Sequence, residues 1–586
     1  ESEISVGGAS IENVDNPEYI DAKVDSEDKV ICYRKKDGTL VENVGIEVPE
    51  IEVGGVNISE KISELSNRSF ESQEYSEIFK QEANDALKRF IPISSTTLRD
   101  ASQQTDDTYR ENVNLLFMTD SHIDYSAATE SMENVEDTVM FANGCRRVIQ
   151  LINSRIDNGL FDAVVHGGDI LTKSNTDKSV TLNYAASFFE QTEKLNVPFL
   201  FVPGNHDRND SNQVPSAAFT DEDWMELYGD YAEEHYGIVR QTKSNGKKSQ
   251  WFYKDIEDKK VRIIGVYVND VDYSVTDSGG KVLYNERKGW YIAQEQMSWL
   301  IGTALNFDDK ADSDWGVVIL SHQTVRLHDS VQPWYSTDSS VPAADRFESA
   351  LEKLFEVLKA FNSQGTYSND YAFAAHPFFN LSIRADFGRY ATNRKWYEFE
   401  WTQAEGAALG KHLSICRKAG ETITFNMVDG GGEITAYNLY VQYAGDSELT
   451  RIGGYTPNQE VTITLEHDIA DVYVLVSSAD ITGDVSAIFK VLQPKPHIIC
   501  WLNGHEHEDY NMVKDGINII WTAQHSAMTA FSDIRVPRLI GTATQNLFDL
   551  ISIDTTHRKI RIVRVGAGLN CYGNGGDRFL PDGLDY

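Results

Sequence analysis

Residues 114–122 read Asn-Leu-Leu-Phe-Met-Thr-Asp-Ser-His, an apolar run that ends at once in an aspartate and a histidine. The part from Leu115 to Met118 predicts a buried β-strand. Asp120 and His122 follow it directly, and carboxylate and imidazole groups are donors that divalent metals accept in proteins. Because open α/β sheets bind ligands at the carboxyl ends of their strands, this stretch predicts an α/β fold with a metal site at a strand end.

Four further short motifs follow other apolar runs in the same way. They are Gly168-Asp169, Gly204-Asn205-His206-Asp207, Ser321-His322 and Gly504-His505-Glu506-His507. Together with the first motif they supply two aspartates, one asparagine and four histidines at strand ends, and His206 in addition. That set is sufficient for two divalent metals that share a carboxylate, an arrangement suited to in-line displacement at phosphorus.

The order and content of the five motifs resemble those of the calcineurin-like metallophosphoesterases, over roughly residues 112–325 and 495–570. The resemblance implies a two-sheet β-sandwich core flanked by helices, in four α/β/β/α layers, and hydrolysis of a phosphate ester. It also implies two ligand sets: Asp120, His122, Asp169 and His507 for one metal, and Asp169, Asn205, His322 and His505 for the other. The ligand types permit Mn, Zn or Fe.

Two further residues of the third motif are expected to take part in catalysis. A water between two divalent ions is deprotonated near neutral pH and becomes the nucleophile. We expect His206 to act as the general acid for the leaving alkoxide, or as a donor to the pentacoordinate transition state. Asp207 is expected to orient the His206 ring or raise its pKa, with a loop cap as the alternative.

Several positions of this chain differ from the patterns of two subgroups of the family, and these differences narrow the resemblance to another subgroup. Purple acid phosphatases carry a tyrosine three residues after the second-motif aspartate, where this chain has Thr172. Phosphoprotein phosphatases carry Asp-Arg-Gly after the second motif and an arginine before the third, where this chain has Ile170-Leu-Thr-Lys173 and Pro203. The remaining resemblance is to the bacterial phosphodiesterase and phosphomonoesterase branch, and we expect a phosphodiesterase rather than a phosphatase.

Three other histidines are weaker candidates for the site. His328 is a rival to His322, but it lies a loop away from the strand. His376 and His525 have no partner motif, and we expect them to be satisfied in the core or exposed at the surface.

The chain divides into five predicted segments. They are an N-terminal β-rich attachment region (1–57), a helical segment and linker (58–111), a first part of the core (112–383), an inserted all-β sandwich (384–492) and a second part of the core (493–586). The insertion is expected because about 180 residues between His322 and His505 are too many for a loop, and they show period-two alternation. Residues 208–260 are expected to be loop-rich, and strand 517–521 with hairpin 548–565 to close the second sheet of the core.

Composition excludes some classes of function. The net charge of −37 argues against broad binding to nucleic acid, which requires clustered Lys and Arg. The sequence contains no run of eighteen apolar residues, so it predicts no transmembrane helix. The five cysteines are scattered without CxxC spacing, so they predict neither a disulfide framework nor a zinc ribbon.

The sequence therefore predicts a two-metal phosphoesterase that acts on a phosphodiester or phosphomonoester, for example a glycerophosphodiester. The β modules favour an extracellular, cell-surface or virion-appendage setting and a glycan or surface polymer as partner, and an oligomer would fit a stalk-like N-terminus. The alternative is an adhesin or phage-tail-like component with a weakly active hydrolase core. A cytoplasmic phosphodiesterase acting on nucleotides or nucleic acid is a third hypothesis, which the negative charge weakens.

Overall fold

The structure is a computed structural model of the 586-residue chain. It describes the strands within residues 4–57 and residues 112–122, 160–172, 174–270, 273–285, 291–325, 348–372, 380–403, 409–413, 415–429, 434–483, 485–507, 509–525, 546–567 and 584–586, besides a few short pieces. Most of segment 58–111, the helix predicted near 134–155, His328 and His376 lie outside the described residues.

The N-terminal region contains short antiparallel strands, in agreement with the predicted β-rich character of residues 1–57. They are β1 (Ile4–Val6), β2 (Ala9–Ile11), β3 (Tyr19–Val24), β4 (Lys29–Lys35), β5 (Leu40–Glu47), β6 (Glu52–Val53) and β7 (Val56–Asn57). They form a three-stranded sheet, β3-β4-β5, and two two-stranded sheets. A role of this region in attachment stays a prediction.

The first part of the core alternates strands with helices. Its strands are β8 (Val113–Met118), β9 (Ala163–His166), β10 (Phe199–Phe201), β11 (Val239–Thr242), β12 (Lys248–Ile256), β13 (Val261–Gly265) and β14 (Gly316–Leu320). Its helices are α1 (Lys178–Thr192), α2 (Asp221–Trp224), α3 (Asp230–Tyr236), α4 (Gln294–Trp299) and α5 (Glu348–Ser363). No helix within the described residues is long and apolar enough to cross a membrane.

The prediction that residues 208–260 are loop-rich is wrong. Helices α2 and α3, joined by the π-helical turn Met225–Gly229, occupy residues 221–236, and β11 and β12 occupy much of the part that follows. Trp224 and Tyr228 are buried there, and their rings contact Phe201 of β10. Because both helices are rich in acidic residues, their apolar face is not evident from the sequence alone.

The insertion is an antiparallel sandwich with its own core. A hairpin of β15 (Thr366–Ala372) and β16 (Asn380–Asp386) and the short helix α6 (Arg389–Thr392) precede it. Its strands are β17 (Trp396–Gln403), β18 (Leu409–Leu413), β19 (Thr422–Asp429), β20 (Tyr437–Tyr443), β21 (Leu449–Tyr455), β22 (Val461–Thr464), β23 (Ile469–Val476) and β24 (Val485–Leu492). They form two four-stranded sheets, β17-β24-β19-β22 and β18-β23-β20-β21, around a separate apolar cluster.

The predicted boundary at residue 384 lies too early. It falls inside β16, where Ile383 and Ala385 pack in the main core, as do Phe387 and Tyr390. The first strand of the sandwich begins at Trp396.

The chain then returns to the core. The last strands are β25 (His497–Asn503), β26 (Tyr510–Lys514), β27 (Ile517–Trp521), β28 (Leu547–Asp554), β29 (Lys559–Gly566), β30 (Tyr572–Gly573), β31 (Gly576–Asp577) and β32 (Leu584–Asp585).

Two sheets share the main apolar core. The first has the order β10-β9-β8-β28-β29-β32, and the second has the order β11-β12-β13-β14-β25-β27-β26. Strands β8, β9 and β10 are parallel in the first sheet, and β13, β14, β25 and β27 are parallel in the second. The chain is thus a mixed α/β protein with an inserted all-β module, as predicted.

One expected strand placement is half wrong. β27 does extend the second sheet, but the hairpin of β28 and β29 joins the first sheet, where β28 pairs antiparallel with β8. Every residue of β28 is buried, which suits a strand inside a sheet with neighbours on both sides.

Candidate metal centre

Two triads of potential metal ligands lie at the carboxyl ends of strands from both sheets. They are Asp120, His122 and His507, and Asp169, His322 and His505, and in each triad the ligand atoms lie within 4.8 Å of one another. The structure thus groups six of the seven predicted ligands as the resemblance implies.

Asp120 directs one carboxylate oxygen into the site and uses the other for anchoring. Its Oδ2 accepts hydrogen bonds from Thr119 Oγ1 at 2.6 Å and from the backbone N–H of His505 at 3.0 Å. Its Oδ1 lies 3.2 Å from His507 Nε2 and 3.5 Å from His122 Nε2. The anchoring bonds therefore fix the oxygen that faces the imidazoles.

Asp169 faces a histidine of each triad. Its Oδ2 lies 3.0 Å from His322 Nε2 and 4.0 Å from His122 Nε2, while its Oδ1 accepts the backbone N–H of His206 at 2.9 Å. Asp169 Oδ2 thus lies between the two triads, and so does Asp120 Oδ1, which is 4.0 Å from His322 Nε2. The role of Asp169 as the shared ligand stays a prediction.

Backbone carbonyls set the tautomers of two ligand histidines. His122 Nδ1 lies 3.1 Å from the carbonyl oxygen of Leu171, and His322 Nδ1 lies 2.8 Å from that of Gly167. A carbonyl only accepts, so each Nδ1 carries a proton, and each Nε2 is the nitrogen that can give a lone pair to a metal ion. These two nitrogens and the two carboxylates converge in a buried space, which suits divalent cations.

The buried carboxylates and imidazoles of the site shift one another's pKa values. Burial lowers the pKa of His322, but Asp169 and Asp120 outweigh it and raise that pKa to about 9. Burial raises the pKa of Asp169, and His322 more than reverses this and holds it below its usual range. The site therefore favours positive charge at its centre.

Five of the predicted ligands have left-handed backbone conformations. The φ angles are 52° at Asp120, 44° at His122, 55° at Asp169, 75° at His505 and 54° at His507. Non-glycine residues rarely adopt positive φ, and such strain concentrates at functional sites. Glycines make room for these turns: a Cβ at Gly204 would lie 2.1 Å from Asp169 Oδ1, and one at Gly504 would lie 2.2 Å from Asp120 Oδ2.

The third motif places Asn205 and His206 beside the triads. Asn205 is buried, and its Oδ1 accepts a hydrogen bond from Gln323 Nε2 at 2.8 Å. The His206 ring packs edge-on against His122, with centroids 5.2 Å apart. Burial, assisted by neighbouring histidines, lowers the pKa of His206 to about 4. The ring is therefore neutral at pH 7 and can donate an N–H, but it holds no extra proton to transfer.

Asp207 binds backbone amides of two motifs. Its Oδ2 accepts the N–H groups of Gly204 at 2.7 Å and Asp169 at 2.8 Å, and its Oδ1 accepts that of Leu171 at 3.0 Å. These bonds fasten the second and third motif loops together, which agrees with the loop-cap alternative. An effect of Asp207 on the ring of His206 stays a prediction.

Sequence reasoning missed supporting residues. Buried His166 accepts the N–H of Gly168 on Nδ1 at 3.1 Å and lies 2.8 Å from Ser121 Oγ through Nε2, so it joins the first and second motifs. Its position at the end of an apolar run, directly before Gly167-Gly168, was an available signal. His525 is buried with Nδ1 2.9 Å from the carbonyl oxygen of Leu547, which confirms that it is a satisfied histidine.

Comparison with known proteins agrees with the motifs. The family model of the calcineurin-like phosphoesterases matches residues 113–353. Residues 113–353 therefore match a calcineurin-like phosphoesterase domain, and the ligand cluster agrees with the class of metal-dependent phosphoester hydrolases. No curated protein matches the chain.

Three solved structures with similarity to this chain are distant in sequence. A dimetal phosphatase from Danio rerio is 9% identical, with 80% of this chain and 100% of that chain covered and a TM-score of 0.34. A mitogen from Yersinia pseudotuberculosis is 5% identical over 17% of this chain and 87% of that one, with a TM-score of 0.15. A periplasmic lysozyme inhibitor from Aeromonas hydrophila is 15% identical over 17% of this chain and 88% of that one, with a TM-score of 0.14. With TM-scores this low, we draw no conclusion about the fold or function of this chain from these similarities.

Proposed function

We propose that the chain is a two-metal phosphodiesterase acting on an extracellular, cell-surface or virion-associated substrate, such as a glycerophosphodiester. The observation that carries this proposal is the pair of triads with Asp169 Oδ2 between them. Asp120, His122, Asp169 and His507 would hold one ion, and Asp169, Asn205, His322 and His505 the other, with Mn, Zn or Fe as candidates. When bound, two such ions polarise a phosphoryl oxygen and activate water at neutral pH.

The protein's own groups orient the substrate. His206 is half-buried beside His122, and its neutral imidazole can donate an N–H to a phosphoryl or leaving oxygen. A preorganised donor of this kind stabilises the charge that develops in the transition state. We therefore favour the donor role for His206 over that of a general acid.

The charges beside the third motif support a diester substrate. Arg208 follows His206 closely, but its guanidinium binds Asp210 and the carbonyl oxygens of Asn269 and Tyr284. It therefore supplies no charge for the second anionic oxygen of a monoester. A diester has a single negative charge and needs less compensation from the protein.

Hydrolysis of two aryl substrates tests the proposal. The protein is stripped with a chelator, reloaded with Mn, Zn or Fe, and assayed with bis(p-nitrophenyl) phosphate and p-nitrophenyl phosphate. We expect metal-dependent turnover that favours the diester, and equal turnover by the control His235→Ala, which changes an exposed histidine of α3. Preference for the monoester would redirect the assignment to a phosphatase.

The outer face of one sandwich sheet supports a glycan partner. His412, Tyr473, Tyr440 and Arg451 lie opposite one another across four adjacent strands. The half-buried tyrosines alternate with core residues, and the His412 ring stacks on Tyr473 with centroids 4.5 Å apart. Aromatic rings with polar edges suit the apolar faces and hydroxyls of sugars. We propose that this row, the sandwich face, binds a surface glycan.

Binding to an array of bacterial cell-wall glycans tests the partner. We expect the double change Tyr440→Ala with Tyr473→Ala to abolish binding, and the matched pair Glu398→Ala with Lys490→Ala on the other sheet to leave it intact. Glycan binding by a metal-loaded chain without turnover on any phosphoester would instead favour the adhesin hypothesis.

A further inference from the structure

A network of buried charges lies directly behind the fifth motif. Arg564 of β29 is fully buried, and its Nε donates to Asp549 Oδ1 at 2.6 Å. Its Nη1 donates to Asp509 Oδ2 at 2.9 Å, and its Nη2 donates to Asp509 Oδ1 at 2.6 Å. Both aspartates are buried as well.

The guanidinium is held in one orientation. Its remaining donors reach Asp549 Oδ2 at 3.4 Å and the carbonyl oxygen of Ala567 at 3.1 Å, so all five N–H groups have an acceptor. Buried ion pairs often contribute less stability than apolar packing of the same volume. A gain in stability is therefore a weak explanation for this network. The fixed geometry of its hydrogen bonds indicates instead that the network positions the residues bound to it.

The network joins the two sheets beside the ligands. Arg564 and Asp549 belong to the first sheet, whereas Asp509 precedes β26 of the second sheet. Thr522, which follows β27, donates to Asp549 Oδ2 at 2.7 Å, and the N–H of Ala523 donates to Asp509 Oδ1 at 3.0 Å. Asp509 is thus held from both sheets.

Asp509 lies two residues after His507, at the end of the ligand turn. His505 and His507 both have left-handed φ angles, which the chain does not prefer on its own and which the surroundings must hold. We propose that Arg564 is a positioning residue for the metal centre, acting through Asp509 to hold the turn of His505 and His507. The inference rests on the metal site of the proposed function, but not on its substrate.

The test compares Arg564→Lys with Arg262→Lys in the full chain. Arg262 of β13 is equally buried, pairs with Asp255 through Nε at 2.6 Å and Nη2 at 2.8 Å, and lies near the amino end of its strand, away from the ligands. Both changes keep the charge and remove the planar fork, so both should lower Tm. Only Arg564→Lys should weaken binding of at least one Co²⁺ ion, by about 10–100-fold, and alter the visible absorption of the Co²⁺-loaded protein.

Unchanged Co²⁺ affinities and an unchanged spectrum in Arg564→Lys, together with a loss of Tm like that of Arg262→Lys, would overturn the inference. If Arg564→Lys is not recovered folded, Asp509→Asn is judged by the same two readouts. A wild-type chain that binds two ions but hydrolyses no phosphoester would refute the proposed function alone, because the titrations do not depend on turnover.

Discussion

Asp169 offers one carboxylate oxygen to both triads, so a single change there should affect both ions. Asp169→Asn keeps the size of the side chain but removes its charge. We expect bound metal to fall from two ions per chain to fewer than one, and kcat to fall by about 10³, which corresponds to about 4 kcal/mol. Elemental analysis after gel filtration measures the metal, with His235→Ala as control. Two ions retained by the variant would contradict the shared role.

His206 should affect turnover without affecting metal content. We expect His206→Ala to bind two ions and to lose about 10²–10³-fold in kcat, as when one preorganised donor to a transition state is removed. Because burial lowers the pKa of His206 to about 4, the ring stays neutral from pH 5 to 9. A limb of the pH–rate profile near pH 6.5 that disappears in the variant would show that the ring titrates there and would contradict this role.

Asp270 should make stability depend on pH in acidic solution. Burial raises the pKa of this carboxyl to about 6, although it accepts hydrogen bonds from Ala293 N and Gln296 Nε2. At Asp270 the folded state therefore binds more protons than the unfolded state between about pH 4 and pH 6, and the contribution of Asp270 to the free energy of unfolding should decrease as pH rises through that window. The total decrease is at most about 3 kcal/mol.

Urea unfolding at several pH values measures this effect, and Asp270→Asn serves as the comparison. The variant should lack the Asp270 contribution, so the difference in unfolding free energy between variant and wild type should grow from pH 4 to pH 6. A constant difference across the window would show that Asp270 does not titrate there.

At the scale of residues, the predicted metal ligands could be identified from the sequence, whereas the hydrogen-bond partners that orient them could not. Asp120 and His322 could be identified because a carboxylate or an imidazole directly after an apolar run indicates a potential metal ligand at the end of a buried strand. The proton positions on His122 and His322 depend on the carbonyls of Leu171 and Gly167, which distant parts of the chain supply. Likewise, Gln323 reaches Asn205 across 118 residues.

The turns after the strands depend on glycines at close approach. A Cβ at Gly504 would lie 2.0 Å from Thr119 Oγ1 and 2.2 Å from Asp120 Oδ2. Gly504→Ala should therefore displace Asp120 and weaken binding of one ion by at least about tenfold, within the range seen when groups around a ligand are disturbed. Isothermal titration with Mn²⁺ measures the affinity.

Gly302→Ala is the matched control for that change. Gly302 lies in the π-helical turn after α4, and a Cβ there would meet no atom within 4 Å. We expect unchanged metal binding and unchanged or slightly higher stability, since the substitution reduces the entropy of the unfolded chain. Equal metal affinities in the two glycine variants would show that crowding at Gly504 has no consequence.

At the scale of elements, buried strands were predictable because their apolar runs are nearly continuous. β8, β9 and β14 are buried along their whole length, and the strand predicted from Leu115 to Met118 begins two residues after the start of β8 and ends with it. The partner of β28 was not predictable, because a sequence shows that a strand is buried but not beside which strand it lies. Its neighbour β8 is far away in the chain, as the bond from Asn112 to Ser552 across 440 residues illustrates.

At the scale of the whole molecule, the sandwich should be separable from the core. Trp396 and Leu492 pair at the base of β17 and β24, and the N–H of Gln493 donates to the carbonyl oxygen of Lys395 at 2.9 Å. The two ends of the insertion are therefore adjacent. We expect replacement of residues 396–492 by a short Gly-Ser linker to leave a folded chain that binds two ions and hydrolyses the aryl diester.

Polar pairs near the protein surface join the sandwich to the core. They include Arg558 with Glu421 at 2.6 Å and Lys418 with Asp585 at 2.8 Å, and surface pairs of this kind contribute about 0–1 kcal/mol each, so their removal should cost the core little stability. Circular dichroism, metal analysis and turnover of the shortened chain measure the outcome. A shortened chain that folds but binds no metal would show that the sandwich takes part in building the site.

The division of the metal centre between two distant parts of the chain has a consequence for biosynthesis. The ribosome releases Asp120, His122, Asp169, Asn205 and His322 first, and His505 follows His322 by 183 residues. At about 5–20 residues per second, this interval lasts about 10–40 s. Throughout that time the nascent chain exposes an incomplete set of ligands, and β8 lacks its neighbour β28 until later still. The full set of predicted ligands is therefore present only late in synthesis, and that set can hold two ions only after His505 and His507 have emerged.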